Sequence, residues 1–485
     1  MKLLSGYELN LESVKADFKE CSDFLIREVV ICGVRAFFCA MDGLVNSLSL
    51  NELVIEPALK CSLEFGSNVE LSDKLKKSVF GAIELSEAQT FEDAYFLLMS
   101  GFALLYVEGS SDFIAFGVQG WEKRSVEEPT NEAMVKGAKE CFTETLNDNK
   151  AMLRKRLKTN KLKLKQIKLG TQALTPVALA YIQGRADEKN VEEVERRLKA
   201  ARLQNVLDFG ALGEYLQGER FSFFSGTGNT ERPDVLASKL LEGRIGVMVE
   251  GTPFVIYLPY LFTDNFSSLD DYDNPPLYAS FIRLLKYLSF AISLFLPALY
   301  VAIGTFHQEM FPTLLLYIVA TSEATTPFPL VVEAIIIHIL YEIMREAGLR
   351  LPKTIGHAVS IIGAIVIGEA MVSAGIISEP MLVVVALTAI ASYVVYPLYE
   401  SVAVLRFFFI AASGLWGIYG FTLSACVLLV NICSLSTQGV PYSVPLSPLT
   451  VSSLGDTVIR QSWKKLSKRK VNIQNLNGAD NGEKH

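Results

Sequence analysis

Residues 284–304 read LLKYLSFAISLFLPALYVAIG, an apolar run of the length that a helix needs to cross about 30 Å of hydrocarbon with about 20 residues. Four more apolar runs follow: Phe328–Tyr341, Ile355–Gly375, Met381–Tyr396 and Val402–Cys433. Ahead of Phe281 the chain is different, with short apolar stretches, amphipathic segments and frequent glycines. The bulk composition is the average of these two halves. With 50% hydrophobic and 20% charged residues and a mean hydropathy of +0.31, the chain is too apolar for a wholly soluble protein and too charged for one embedded throughout. The expected fold is an α/β N-terminal soluble region of two subdomains, followed by an all-α polytopic transmembrane bundle. The expected boundaries are 1–125, 126–275, 276–435 and a basic cytoplasmic tail over 436–485.

A net charge of −7 supplies no global basic field, so nucleic acid is not an expected partner. The seven cysteines, at 21, 32, 39, 61, 141, 426 and 433, form no C-x-x-C pair and read as buried thiols rather than a disulfide frame or zinc site. The opening Met-Lys-Leu-Leu-Ser-Gly-Tyr-Glu lacks a signal-peptide apolar run, which leaves the N-terminal half on the side where it is made.

Within the soluble region, Val29–Cys32 and Leu71–Phe80 suit the first α/β unit. The Glu127–Glu132 linker leads to a helix expected through the Lys/Arg-rich segment Asn149–Lys168. In the second unit, Ala178–Ile182 reads as a buried strand and Val191–Arg202 as an amphipathic helix. Arg244–Tyr260 reads as two strands about the turn Glu250-Gly251-Thr252-Pro253, because such turn residues inside a span would leave backbone groups unpaired in lipid. The Phe224–Thr230 loop has glycines but no Gly-Lys-Ser/Thr, so it reads as a turn and not a phosphate cradle. No pairing of Ser, His, Asp or Cys points to catalysis, and neither catalytic residues nor a cofactor or metal is expected.

Lysines and arginines near span ends collect on the cytoplasmic side. Arg345, Arg350 and Lys353 mark one such loop, Arg406 marks another, and the tail carries Arg460, Lys464, Lys465, Lys468, Arg469 and Lys470. A cytoplasmic tail together with a cytoplasmic N-terminal region requires an even number of spans. Val402–Cys433 is therefore expected to break near Gly414, Gly417 and Gly420. Phe311–Ala320, with Pro312 before it and Pro327-Phe328-Pro329 after it, is too short to span and reads as re-entrant or interfacial.

Gly356, Ser360, Ala364 and Gly368 recur every four residues and form a small-residue seam for close helix packing, within one subunit or between subunits. Glu333, His338, Glu342 and Glu369 lie within or beside the apolar runs. Ionisable groups at such depth face a protein interior or a wet path, which makes them candidates for an ion path or gate. For Glu342, Arg345 and Glu346 the alternative is simple pairing at the interface.

Several stretches of sequence resemble one family. They are Thr230-Glu231-Arg232-Pro233-Asp234; the hairpin from Gly243-Arg244-Ile245 to Thr252-Pro253-Phe254; Tyr300 through His307 with Pro312-Thr313; Pro327-Phe328-Pro329 with Glu333; and Glu342-x₂-Arg345-Glu346-Ala347-Gly348-Leu349-Arg350-Leu351-Pro352. Over residues 125–470 the chain resembles the A subunit of the Ger-type (GerA family) spore germinant receptors, which include the related stage V sporulation AF protein. It departs from the family pattern at Gly137-Ala138, at Glu369, where the family usually has Gln, and in the stretch from Ser392 to Arg406. The resemblance implies a protein of the spore inner membrane that works with a transporter-like B subunit and a lipoprotein C subunit. It also implies a homo-oligomeric ring in the lipid bilayer with a nutrient-gated cation path. Two other readings stay open: a non-conducting assembly scaffold, and a secondary transporter of a small solute, for which no internal repeat is visible.

Overall fold

The computed structural model describes residues 3, 6–80, 84–120, 132, 137–217, 222–351, 368–466 and 472–479. Two five-stranded sheets precede the apolar helices. In the first, β1 (Phe24–Ile31), β2 (Val34–Met41), β3 (Leu85–Ala88), β4 (Ala103–Val107) and β5 (Phe113–Phe116) are ordered β1-β2-β4-β5-β3. In the second, β6 (Leu162–Leu169), β7 (Thr175–Ile182), β8 (Gly228–Thr230), β9 (Ile245–Val249) and β10 (Val255–Leu258) are ordered β6-β7-β9-β10-β8. Every pairing between these strands is antiparallel.

Both faces of each sheet are covered, which explains why the central strands are apolar without alternation. On β2, Phe37, Cys39 and Met41 face one core, which holds α1 (Tyr7–Asp17) and α2 (Phe91–Leu98), while Ala36, Phe38 and Ala40 face the other. On β7, Val177 and Leu179 pack against α4 (Glu188–Ala200), and Ala178 and Ala180 pack against α3 (Leu146–Arg156) and α5 (Pro233–Leu241).

The helix expected through Asn149–Lys168 ends at Arg156, and Leu162–Leu169 is a strand. Leu162-Lys-Leu-Lys-Gln-Ile-Lys-Leu alternates with the period of a strand, and its pairing with β7 decides the matter. The two sheet units are bolted together: Arg154, fully buried, donates to both Asp23 carboxylate oxygens at 2.7 and 3.0 Å.

Five helices of the C-terminal half set its direction: α6 (Pro276–Phe306), α7 (Thr313–Glu323), α8 (Leu330–Arg350), α10 (Glu379–Val394) and α11 (Tyr399–Ser434), with the short α9 (Gly368–Ser373) between α8 and α10. The α11 segment is a hairpin. Gly417 has φ 61° and ψ −142°, and the Phe409 and Phe421 rings meet at 5.9 Å. At the other end, Ser401 donates to the Phe223 carbonyl while Asn431 accepts from the Phe223 amide at 3.3 Å. In a straight helix residues 401 and 431 would be about 45 Å apart. The break expected among Gly414, Gly417 and Gly420 is at Gly417, where the Phe306 and His307 side chains crowd the position that a Cβ would occupy.

The helices thus share a proximal end near the two sheet units and a distal end. α6 runs outward to Phe306. Leu330, at the start of α8, packs over Gly304, and α8 returns to bring Glu342 to Tyr399. Ser378, just ahead of α10, meets Glu333 at the distal end, and α10 returns to bring Ser392 to Arg406.

The tail is not a free extension. Val440, Val444, Ile473 and Leu476 bury themselves against Leu261, the Ile473 amide donates to the Glu242 carbonyl at 2.9 Å, and Asn472 donates to Arg185 O at 3.0 Å. Arg460 is buried between Tyr272 and Trp463. The cysteines also differ from expectation: all seven are free thiols, but Cys426 and Cys433 are exposed and Cys32 and Cys61 half-buried.

Candidate functional site

An arginine inside the bundle joins four helices. Arg406 lies eleven positions before Gly417 in the sequence, about 16 Å along the helix, and is fully buried. Its Nε donates to the Ser293 carbonyl of α6 at 3.0 Å and its Nη2 to Ser392 Oγ of α10 at 2.7 Å. Its Nη1 is 3.5 Å from Glu342 Oε1 of α8.

The Ser293 contact has a cause in the sequence. Pro297 lies inside α6 and has no N–H, so the carbonyl four residues earlier, that of Ser293, has no helical donor. Arg406 satisfies a backbone acceptor that the proline leaves open. Glu342 is further held by the Tyr399 hydroxyl, which donates at 2.7 Å, and by Arg345 Nε at 3.1 Å. The Arg345 guanidinium also stacks 4.0 Å over the Tyr399 ring.

Arg406 therefore does not mark a loop, as the charge pattern suggested; it is a mid-helix residue. An arginine flanked by apolar residues is itself the signal for such a role. Ser293, Ser392 and Tyr399 carried no signal of their own. Glu346 and Arg350 pair along the surface of α8 at 2.7 Å, both exposed, an arrangement that contributes little.

The remaining candidates separate. Glu333 and His338 are fully buried on the inner face of α8. Glu333 Oε1 accepts from the Ser378 amide and hydroxyl and so caps the start of α10. His338 Nδ1 donates to the Ala334 carbonyl at 2.8 Å. Glu369 is exposed and joins none of these groups. Gly368 is buried, with Leu382 side-chain atoms 3.5 Å from its missing Cβ. Gly356, Ser360, Ala364 and Pro352 lie outside the described residues. Pro327 and Pro329 precede α8, with Pro329 at its N-cap.

The model of the Bacillus/Clostridium GerA spore germination protein family matches residues 12–472. The chain belongs to the GerA family. It is 38% identical over 469 residues to spore germination protein KA of Bacillus subtilis (strain 168), covering 96% of this chain and 86% of that protein. Spore germination protein B1 of the same organism is 34% identical over 464 residues, covering 95% of each. An uncharacterized membrane protein, YfkQ, is 35% identical over 472 residues, covering 97% of this chain and 91% of that one. The crystal structure of the N-terminal domain of the A subunit of the Bacillus megaterium spore germinant receptor GerK3 is also similar. It covers 54% of this chain and 98% of that chain, with 30% identity and a TM-score of 0.43.

In this GerA-family chain the motif residues of the N-terminal α/β region build joints. Arg232, almost fully buried, holds Asp234 through two bonds at 3.0 and 2.6 Å and reaches the Ala138 carbonyl at 2.9 Å. Pro233 starts α5, where its missing N–H is harmless. Arg244 and Lys239 converge on Asp264. Burial alone would raise the Asp264 carboxyl, but these two cations outweigh it and hold it well below the usual carboxylate range.

Glu231 accepts from the Glu132 amide at 2.9 Å, and Glu132 accepts from the Thr230 hydroxyl at 2.6 Å. Burial pushes the Glu132 carboxyl up to about 7, against the opposing effect of the Thr230 bond. A raised carboxyl pKa means that the folded chain keeps a proton that the unfolded chain releases. The stability that this one group contributes is therefore full below about pH 4.3 and is lost as pH climbs from there through the folded value. Glu132→Gln is expected to flatten that decline, read as the thermal midpoint of the full chain between about pH 5 and pH 8.

Proposed function

We propose that this GerA-family chain is the membrane-embedded A-type subunit of a nutrient germinant receptor in the spore inner membrane. Its B and C partners are a transporter-like subunit and a lipoprotein. The observation that carries the reading is the fully buried Arg406 and its four-helix network, inside a bundle whose outer face is apolar. On α10, Val383, Leu387, Ile390 and Val394 are all exposed at helical spacing, as are Leu423, Val427 and Val430 on the second arm of α11. Water would not tolerate such a mantle, and lipid would favour it.

Two apolar segments are long enough to span, Pro276–Phe306 and Tyr396–Ser434, and the second folds into two arms. With α8 and α10 the described residues supply five spans; Arg350 stands at the proximal end and Gly368 at the distal end. The tail packs on the second sheet unit, so tail and soluble region share a side. Charge supports that side being cytoplasmic: the distal segments 304–330, 368–380 and 411–420 contain no Lys or Arg. α7, with Leu314, Tyr317 and Ile318 exposed, lies at the outer interface.

The Arg406 network closes the middle of the protomer, which favours a cation path at the shared axis of a homo-oligomeric ring. Glu369, exposed on the single chain, suits the lining of such a path, with Glu333, His338 and Glu342 setting the packing behind it. Nutrient binding to a partner would shift the ring between closed and open packings. Glu369→Gln is expected to change cation release from nutrient-treated spores by about fivefold at equal protein abundance, as a ~1 kcal/mol change in ion stabilisation gives. Unchanged release would remove Glu369 from the path and favour the scaffold reading.

A further inference from the structure

At the distal end, three oxygen-bearing side chains on three helices carry buried oxygen atoms without a hydrogen bond among the described residues. Tyr300 of α6 is 9% exposed, Glu333 of α8 is 0% exposed, and Glu323 closes α7. The Tyr300 hydroxyl, Glu333 Oε2 and Glu323 Oε1 are buried atoms with no hydrogen-bond partner among the described residues. Their proximity is fixed from two directions. Gly304, one turn beyond Tyr300 on α6, lies beneath both Glu323 Oε1, 3.6 Å from where its Cβ would stand, and Leu330, one turn before Glu333 on α8.

Leaving buried acceptors unpaired costs about 1–3 kcal/mol each, and more when charged. Among the described residues no arginine or lysine pairs with Glu323 or Glu333, and residues 304–330 and 368–380 contain none. Capping α10 explains Glu333 Oε1 but not Oε2. Gly304 makes room for Leu330, whose Cδ2 lies 2.5 Å from where a Cβ would stand.

We propose that Tyr300, Glu323 and Glu333 bind a hard, oxygen-seeking metal cation at the distal end of the bundle. Two carboxylates and a phenol oxygen, with no nitrogen or sulfur donor, select alkali or alkaline-earth ions over transition metals. The bound ion would tie α7 to α6 and α8 at the base of α10. The site stands whether or not ions pass through the assembly, because it requires binding alone.

The test is thermal unfolding of the purified full chain in nanodiscs at constant ionic strength, with N-methylglucamine chloride replaced stepwise by KCl, NaCl or CaCl₂. The expected result is a saturable rise in midpoint with at least one metal ion, since a ligand bound only by the folded state stabilises it by mass action. Glu323→Gln should raise the half-saturating concentration at least tenfold and Tyr300→Phe severalfold, both without loss of folded protein in the absence of metal. No metal-specific shift in the native chain overturns the proposal, as does an equal shift in native chain and both variants. If the native chain ignores metals while Glu323→Gln raises its midpoint, the carboxylates share a proton and the metal site is wrong.

Discussion

Glu342→Leu is expected to destabilise the bundle by about 1–3 kcal/mol, because it removes the half-buried carboxylate that stands 3.5 Å from Arg406 and leaves that buried cation without a counter-charge. The stranded group is Arg406, fully buried, whose two other bonds go to neutral oxygens of Ser293 and Ser392. Arg406→Met should be milder, because Glu342 keeps Arg345 and Tyr399. Adding Arg406→Met to Glu342→Leu should recover much of the loss by removing the orphaned charge. The measurement is the unfolding midpoint of the detergent-purified chain, with membrane abundance by immunoblot. A Glu342→Leu chain as stable as the native one, or a double variant as unstable as the sum of the single changes, would sink the network as a structural tie.

Gly420→Ala should break the α11 hairpin. A Cβ at Gly420 would stand 2.1 Å from the Ala412 carbonyl oxygen and 2.7 Å from its carbon, and backbone atoms cannot rotate away. The expected loss is at the upper end of the about 1–3 kcal/mol typical of overpacking, accompanied by separation of Phe409 from Phe421. Cysteine pairs placed at 409 and 421 should cross-link in the otherwise native chain and fail to do so beside Gly420→Ala. Equal cross-linking in both would show that the arms tolerate the methyl group and that the close approach is not required.

The second prediction also shows where the sequence sufficed. Three glycines inside one apolar run too long for a single crossing, with basic residues required on one side, placed a break near the residue that carries it. Short continuous apolar runs bounded by turn residues likewise identified β7 and the β9–β10 hairpin, and apolar residues at helical spacing identified α4. The helix expected through Asn149–Lys168 stops at Arg156 because Leu162–Leu169 alternates every two residues and finds its partner in β7, which is distant in the sequence.

Family membership and the division into a polar first half and an apolar second half follow from patterns local in the chain: motif order and hydropathy. The roles of individual ionisable residues do not. Arg406 and Pro297 are 109 positions apart in the sequence, and nothing local in either says that the carbonyl freed by one is the acceptor of the other. Glu333 and Ser378, or Tyr300 and Glu323, become neighbours only when antiparallel helices pack. The energy of a buried charge depends on every group within a few ångströms of it, and that neighbourhood is a property of the folded chain.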